Sequence, residues 1–172
     1  MKIFQIKYSQ ILPISLSDAW KFFSNPKNLD KITPKWLNFK ITSEVPNKMY
    51  AGEIITYKVR PVLNIPVTWV TEITHVKEPY YFVDEQRFGP YKMWHHEHIF
   101  IEIPKVGVEM QDIVTYAIPF GILGVIANKL FVERKIKEIF EYRKNILSKI
   151  FNPYVNEKGE LEFFNLEDLN LK

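Results

Sequence analysis

The chain has 172 residues, no cysteine, 47% hydrophobic and 15% aromatic content, and a formal net charge of +3. That length suits one domain with a sizeable core rather than two, and the lack of cysteine rules out a disulfide framework, a thiolate metal site, an iron–sulfur cluster and a cysteine nucleophile. Residues 152–172 hold Glu157, Glu160, Glu162, Glu167 and Asp168 against Lys158 and Lys172, which leaves the body basic; its basic residues are scattered rather than gathered into the stripe that phosphate neutralisation requires, so nucleic acid is not an expected partner.

Lys2 to Leu12 reads as an opening strand ended by Pro13. The residues after Met1-Lys2-Ile3-Phe4 are too polar for a signal peptide, and no stretch reaches the roughly 18 apolar residues of a membrane span. The expectation is a cytoplasmic protein without an integral membrane segment, with peripheral membrane contact left open. Ser15-Leu16-Ser17-Asp18 has the form of a capping box variant and starts a helix over Leu16 to Ser24, with Ala19, Trp20, Phe22 and Phe23 on its apolar face. Asn25-Pro26 stops it, and Lys27 to Ile32 forms a second short helical piece before Pro34.

Six segments of period two follow: Leu37 to Glu44, Glu53 to Arg60, Thr68 to Val76, Tyr81 to Phe88, Lys92 to Ile103 and Gly107 to Ala117. The links between them are short, so neighbours are antiparallel, since a parallel crossover needs about a dozen residues. The loop Pro61-Val62-Leu63-Asn64-Ile65-Pro66 carries three apolar side chains and reads either as a lid or as a locally packed loop. The period then changes. From Ile122 to Phe151, Ile126, Leu130, Ile136, Ile139, Phe140, Leu147 and Ile150 recur at helical spacing. One helix of about thirty residues, roughly 45 Å long, is expected to lay this stripe on the sheet and to stop at Asn152-Pro153. Gly121 and Gly124 flank its start.

Trp69-x-Thr71-x-Ile73, Phe82-x-Asp84-x-Gln86-x-x-Gly89-Pro90-Tyr91-x-x-Trp94-x-His96-x-His98-x-Phe100, Asp112-x-Val114-x-Tyr116 and Pro119-x-Gly121-x-x-Gly124, in this order of elements, resemble the bacterial SRPBCC ligand-binding proteins. These are part of the START and birch-pollen-allergen superfamily, which includes polyketide cyclase-like members. The resemblance covers residues 1–151 and implies a single α+β domain of the helix-grip fold: a seven-stranded curved antiparallel sheet wrapped on a long C-terminal helix, with two short helices after the first strand. It further implies an apolar cavity between sheet and helix, used in the superfamily for lipids, sterols, polyketides, quinones and plant hormones. Residues 152–172 form an acidic, partly apolar extension outside the resemblance, and nothing in the sequence sets the oligomeric state.

Alternation puts Trp94, His96, His98 and Phe100 on one face of their strand, Phe82, Asp84 and Gln86 on one face of another, and Asp112, Val114 and Tyr116 on one face of a third. With Trp69, the ligand-binding candidates are Trp69, Phe82, Asp84, Gln86, Trp94, His96, His98, Phe100, Asp112 and Tyr116. His95 and Glu97 have the opposite parity and are expected to face solvent, and His75 has no assigned role. An apolar pocket with a few placed polar groups is the usual form of a ligand site, so the expected function is binding or transport of a small hydrophobic molecule of the lipid, quinone, polyketide or isoprenoid kind.

The same polar residues can also form a purely structural hydrogen-bond network. An enzyme of the cyclase, dehydratase or hydrolase type would use Asp84, His96, His98 or Asp112 as acid and base. A third reading is a protein-interaction module with a filled core. Two histidines with Asp84 or Asp112 also satisfy a two-His-one-carboxylate inventory, but the resemblance brings no metal, and neither metal nor cofactor is expected.

Overall fold

Ser15 caps the first helix as the spacing predicts: its Oγ accepts from the Asp18 backbone N–H at 3.1 Å and donates to the Asp18 carboxylate at 2.7 Å. The computed structural model describes residues 2–61, 65–151, 154–155 and 161–162. The elements run β1 (Ile3–Leu12), α1 (Leu16–Phe23), β2 (Lys40–Ile41), β3 (Ile54–Val59), β4 (Val67–Lys77), β5 (Tyr81–Phe88), β6 (Met93–Ile103) and β7 (Gly107–Ala117). A continuous helical stretch comes next, made of α2 (Gly121–Ala127), a π-helical turn (Asn128–Val132) and α3 (Glu133–Ile150). Tyr154–Val155 and Leu161–Glu162 pair as a separate two-stranded piece. Three residues of the expected lid, Val62 to Asn64, and most of the C-terminal extension lie outside the described residues.

β1 to β7 form one curved antiparallel sheet in the order β1-β7-β6-β5-β4-β3-β2. Every neighbour except β1 against β7 succeeds its partner in sequence, as short links require. At the tight β6–β7 turn Gly107 has φ 135°, and a Cβ there would collide with the Leu12 carbonyl oxygen. No other residue type fits that position.

Two expectations need correction. The strand over Leu37 to Glu44 shrinks to Lys40–Ile41, because Pro34 opens a 3-10 turn at Lys35–Leu37 and Asn38 leaves it in the left-handed conformation, φ 46°. Beyond Ile41, Thr42 and Ser43 both donate their N–H groups to the one carbonyl of Thr56, so the ladder cannot advance. The second short helical piece, where expected, is a 3-10 helix over Pro26–Asn28, capped by Asn25.

The second correction concerns the long helix. Its thirty residues are continuous, but Ile126 and Leu130, expected in the packed stripe, are 50% and 57% exposed. The π turn explains this: one residue too many for an α-helical turn rotates the residues before it by about 100° relative to those after it. After the turn Ile136, Phe140, Arg143 and Leu147 face inward. Before it Gly124 takes an inner position, as does Asn128, the turn's first residue, while Phe120, Ile122, Leu123 and Ile126 point outward. At Gly124 a Cβ would meet the Pro119 carbonyl oxygen, and the buried Asn128 accepts from the equally buried Tyr116 hydroxyl at 3.0 Å.

Two apolar clusters result. One gathers Leu12, Trp20, Phe22, Phe23, Phe82, Phe100, Leu147 and Phe151 under α1. The other gathers Val114, Tyr116, Ile136 and Phe140, with Tyr91 and Trp94 against it. Among the described residues no helix is long and apolar enough to cross a membrane.

Candidate functional site

Register decides which alternating faces meet. Asp84 pairs with His96 and Phe82 with His98 across β5 and β6, while His98 pairs with Asp112 across β6 and β7. Directly opposite residues on one face stand about 4.5–5.5 Å apart at Cβ, so three adjacent strands deliver Asp84, His96, His98 and Asp112 to one spot. α3 crosses above it and contributes Arg143.

The four side chains form a closed cluster. His96 Nε2 is 2.9 Å from Asp112 Oδ1 and its Nδ1 is 3.3 Å from Asp84 Oδ2. His98 Nε2 is 2.9 Å from the same Asp84 oxygen and its Nδ1 is 3.0 Å from the same Asp112 oxygen. The rings lie 3.8 Å apart between centroids. Arg143 Nη1 stands 3.7 Å from Asp112 Oδ1. Aromatic groups surround the cluster: Phe82 stacks on His98 at 4.1 Å, and Trp94 and Phe140 meet His96 edge-on at 6.2 and 5.8 Å.

Electrostatics follows from this packing. Burial by itself would raise the two carboxyl pKa values and lower that of the imidazole. The histidines outweigh it, through charge and hydrogen bonds, so Asp84 and Asp112 are held well below the usual carboxylate range. Asp84 and Asp112 in turn push His96 up to about 9 against its burial. Two of the four contacts are aligned hydrogen bonds, His96 Nε2 with Asp112 and His98 Nε2 with Asp84.

The cluster forms part of the wall of a cavity of about 160 Å³ between the sheet and α3. Its other walls are largely apolar, with Phe23, Ile55, Val59, Ile73, Ile136, Ile139 and Phe140 among them. Tyr57 and Thr71 add a hydrogen-bonded hydroxyl pair at 2.7 Å. Burial pushes the phenols of Tyr57 and Tyr91 upward, so both stay neutral. Trp69 Nε1 and Arg143 Nε belong to wall residues and are buried without a hydrogen-bond partner.

Of the residues chosen from sequence, Trp69, Phe82, Asp84, Trp94, His96 and His98 stand on the cavity wall. Asp112 lies behind the two histidines, 1% exposed. Three stand elsewhere. Gln86 clamps the backbone of Tyr91, donating to its carbonyl at 2.7 Å and accepting from its N–H at 3.2 Å. Phe100 is packed against Trp20 and Phe23 in the core, and Tyr116 is tied to Asn128. His95 is half-buried and pairs with Glu85 at 2.9 Å, away from the cluster, and His75 is exposed next to Thr74.

Sequence reasoning missed Arg143, Tyr57 and Thr71 as wall residues. Arg143 carried a legible signal: it sits three residues after Phe140 and four before Leu147, a charge within the apolar stripe, which marks a paired or functional group. Tyr57 and Thr71 lie on strands whose relative register no local pattern states.

No family model matches the chain, and no curated protein matches it in sequence. Its fold, however, matches solved structures along most of its length. A protein of Chromobacterium violaceum, CV1439, superposes with a TM-score of 0.66 at 8% identity, covering 87% of this chain and 98% of that one. Ara h 8.0201 gives a TM-score of 0.56 at 14% identity over 86% and 99%. The di-domain ARO/CYC StfQ from the steffimycin biosynthetic pathway gives 0.64 at 11% identity over 87% of this chain and 51% of that one. At such identities the likeness establishes the fold, which is the helix-grip fold.

Proposed function

We propose that this helix-grip chain binds a small, mostly apolar molecule between sheet and helix, and holds the molecule's polar end against Asp84, His96, His98 and Arg143. The observation that carries this reading is a buried charged cluster on one wall of an otherwise apolar cavity. Ligand sites combine apolar walls with a few convergent polar groups that fix orientation. At about 160 Å³ the space is similar in volume to an engineered cavity of about 150 Å³ that takes one benzene ring. The favoured ligand is therefore a compact ring system, or one end of a longer quinone, polyketide or isoprenoid-like molecule whose remainder leaves through the mouth.

The spare donors on Trp69 and Arg143 suit an acceptor on the ligand, such as a carbonyl, phenolate or carboxylate, since a buried donor left unpaired costs about 1–3 kcal/mol. Catalysis by an Asp–His pair has weaker support. Both carboxylates are ion-paired and depressed in pKa, which makes them poor bases, and an imidazolium with a pKa near 9 gives up its proton reluctantly at neutral pH.

The test is native mass spectrometry of gently purified full-length chain against the denatured chain, followed by titration with 1-anilinonaphthalene-8-sulfonate, a ring compound with an anionic group. A co-purified organic mass, or saturable probe binding accompanied by quenching of tryptophan fluorescence, supports the reading. A bare chain that also fails to bind the probe overturns it.

A further inference from the structure

The cluster has an asymmetry that simple ion pairing does not require. Each imidazole turns one nitrogen to Asp112 and the other to Asp84: His96 presents Nε2 to Asp112 and Nδ1 to Asp84, and His98 presents Nδ1 to Asp112 and Nε2 to Asp84. Asp112 is sealed behind the rings at 1% side-chain exposure, whereas Asp84 is 15% exposed and lines the cavity with both histidines. The set is incompletely satisfied as a hydrogen-bond network, since His98 Nδ1 and Asp112 Oδ2 are buried without an aligned partner.

We propose that Asp84, His96 Nδ1 and His98 Nε2 form a binding site for a divalent first-row transition ion of the zinc or iron(II) class, with Asp112 holding both imidazoles from behind. Two imidazoles and one carboxylate are the donor set of open zinc and non-haem iron sites. Metal-bound histidines almost always hand their second ring nitrogen to a carboxylate, carbonyl or water, which fixes tautomer and ring orientation. Here one buried carboxylate faces the second nitrogen of both.

Distances agree with this assignment. Asp84 Oδ2 lies 2.9 Å from His98 Nε2 and 3.3 Å from His96 Nδ1, and one atom from each of the three residues falls within 4.8 Å of the others, so the three donors already stand within reach of one ion. Asp84 and both histidines line the cavity, so an ion can reach the carboxylate and the two ring nitrogens from that side. Its open coordination positions face the cavity, where a ligand oxygen could complete them. An ion can bind with the cavity empty, so the proposal stands apart from the apolar-ligand reading.

The experiment uses the full chain, stripped by chelator and titrated with Zn²⁺ and Co²⁺ alone, by calorimetry and by the visible absorption of Co²⁺. One ion per chain is expected. Asp84→Asn, His96→Gln and His98→Gln should each weaken it by at least about tenfold, and Asp112→Asn, which leaves all three donors in place, by about 10- to 100-fold. His95→Gln should leave it unchanged, although the surface group of His95, Glu85 and Glu97 is the obvious adventitious site. Because the buried variants can fail to fold, imidazole ¹⁵N spectra of the unaltered protein with Zn²⁺ provide an independent readout. Selective shifts of His96 Nδ1 and His98 Nε2 support the site. Absence of stoichiometric binding, or shifts confined to His95 or His75, overturns it.

Discussion

His96 and His98 pack ring against ring, 3.8 Å between centroids, while sharing the same two carboxylate oxygens. Two imidazoles this close, with raised proton affinity at His96, are stable only because Asp84 and Asp112 flank them. The pair lies between two apolar clusters, with Phe82 stacked on His98 and Phe140 edge-on to His96.

Removal of Asp112 should therefore be expensive. Asp112→Asn leaves buried imidazolium charge facing a neutral amide, and breaking a buried pair from one side costs about 3–5 kcal/mol. A fall in Tm of roughly 6–20 °C is expected for a chain of this size. Glu97→Gln, on the opposite face of β6, should leave Tm unchanged. Thermal unfolding of chelator-treated protein, followed by circular dichroism, checks both; equal melting of the Asp112→Asn variant and the unaltered protein would mean neutral rings.

The facing of β6 makes a second expectation concrete. Asp84→Asn and His98→Gln should weaken binding of 1-anilinonaphthalene-8-sulfonate by about tenfold, the equivalent of one charge-assisted hydrogen bond of about 1.4 kcal/mol, and His95→Gln should not. Ile139→Trp, which places bulk on the cavity wall, should abolish binding with little change in Tm. Fluorescence titration reads all four, and probe binding that survives Ile139→Trp would place the probe outside the cavity.

These two expectations also mark what was legible in the sequence. β5 and β7 lie where their period-two pattern and bounding turn residues put them, since each strand has one buried face and a slip of one residue would expose it. The inward parity of Asp84, His96, His98 and Asp112 came from the same alternation. Their convergence on two oxygens did not, because it depends on the registers Asp84 to His96 and His98 to Asp112, which are set by long-range pairing. Gln86, Phe100 and Tyr116 share the parity but not the place: facing inward is no guarantee of facing the cavity when the inner layer is deep enough to hold core as well. The π turn was illegible for a related reason, since periodicity read from Ile126 to Ile150 assumes one residue angle throughout.

Glu53 offers a pH test away from the cluster. It is 2% exposed immediately before β3, its carboxylate buried beside the Tyr50 backbone. Burial raises its pKa. An acid raised in the folded state binds more protons folded than unfolded between the ordinary value of 4.5 and the raised one, so stability falls as pH rises through that interval. Glu53→Gln should remove this slope: the variant is expected to melt higher than the parent at neutral pH and close to the parent at pH 4. Melting curves between pH 4 and 8 check it, and parallel curves would show that the folded protein already compensates the carboxylate.

The long helix is expected to divide energetically at its π turn. Ile136, 1% exposed, packs with Val114, Tyr116 and Phe140, so Ile136→Ala should cost about 2–5 kcal/mol through lost burial and a residual cavity. Ile122 and Leu123, 80% and 72% exposed, are as apolar in sequence but contribute little to the fold. Ile122→Ser and Leu123→Ser should stay within about 0.5 kcal/mol of the parent. Denaturant unfolding of the three variants compares the halves directly. A large loss on Ile122→Ser would mean that α2 is covered in solution, and the rotation of about 100° assigned to Asn128–Val132 would then have to serve that contact rather than the Tyr116–Asn128 bond.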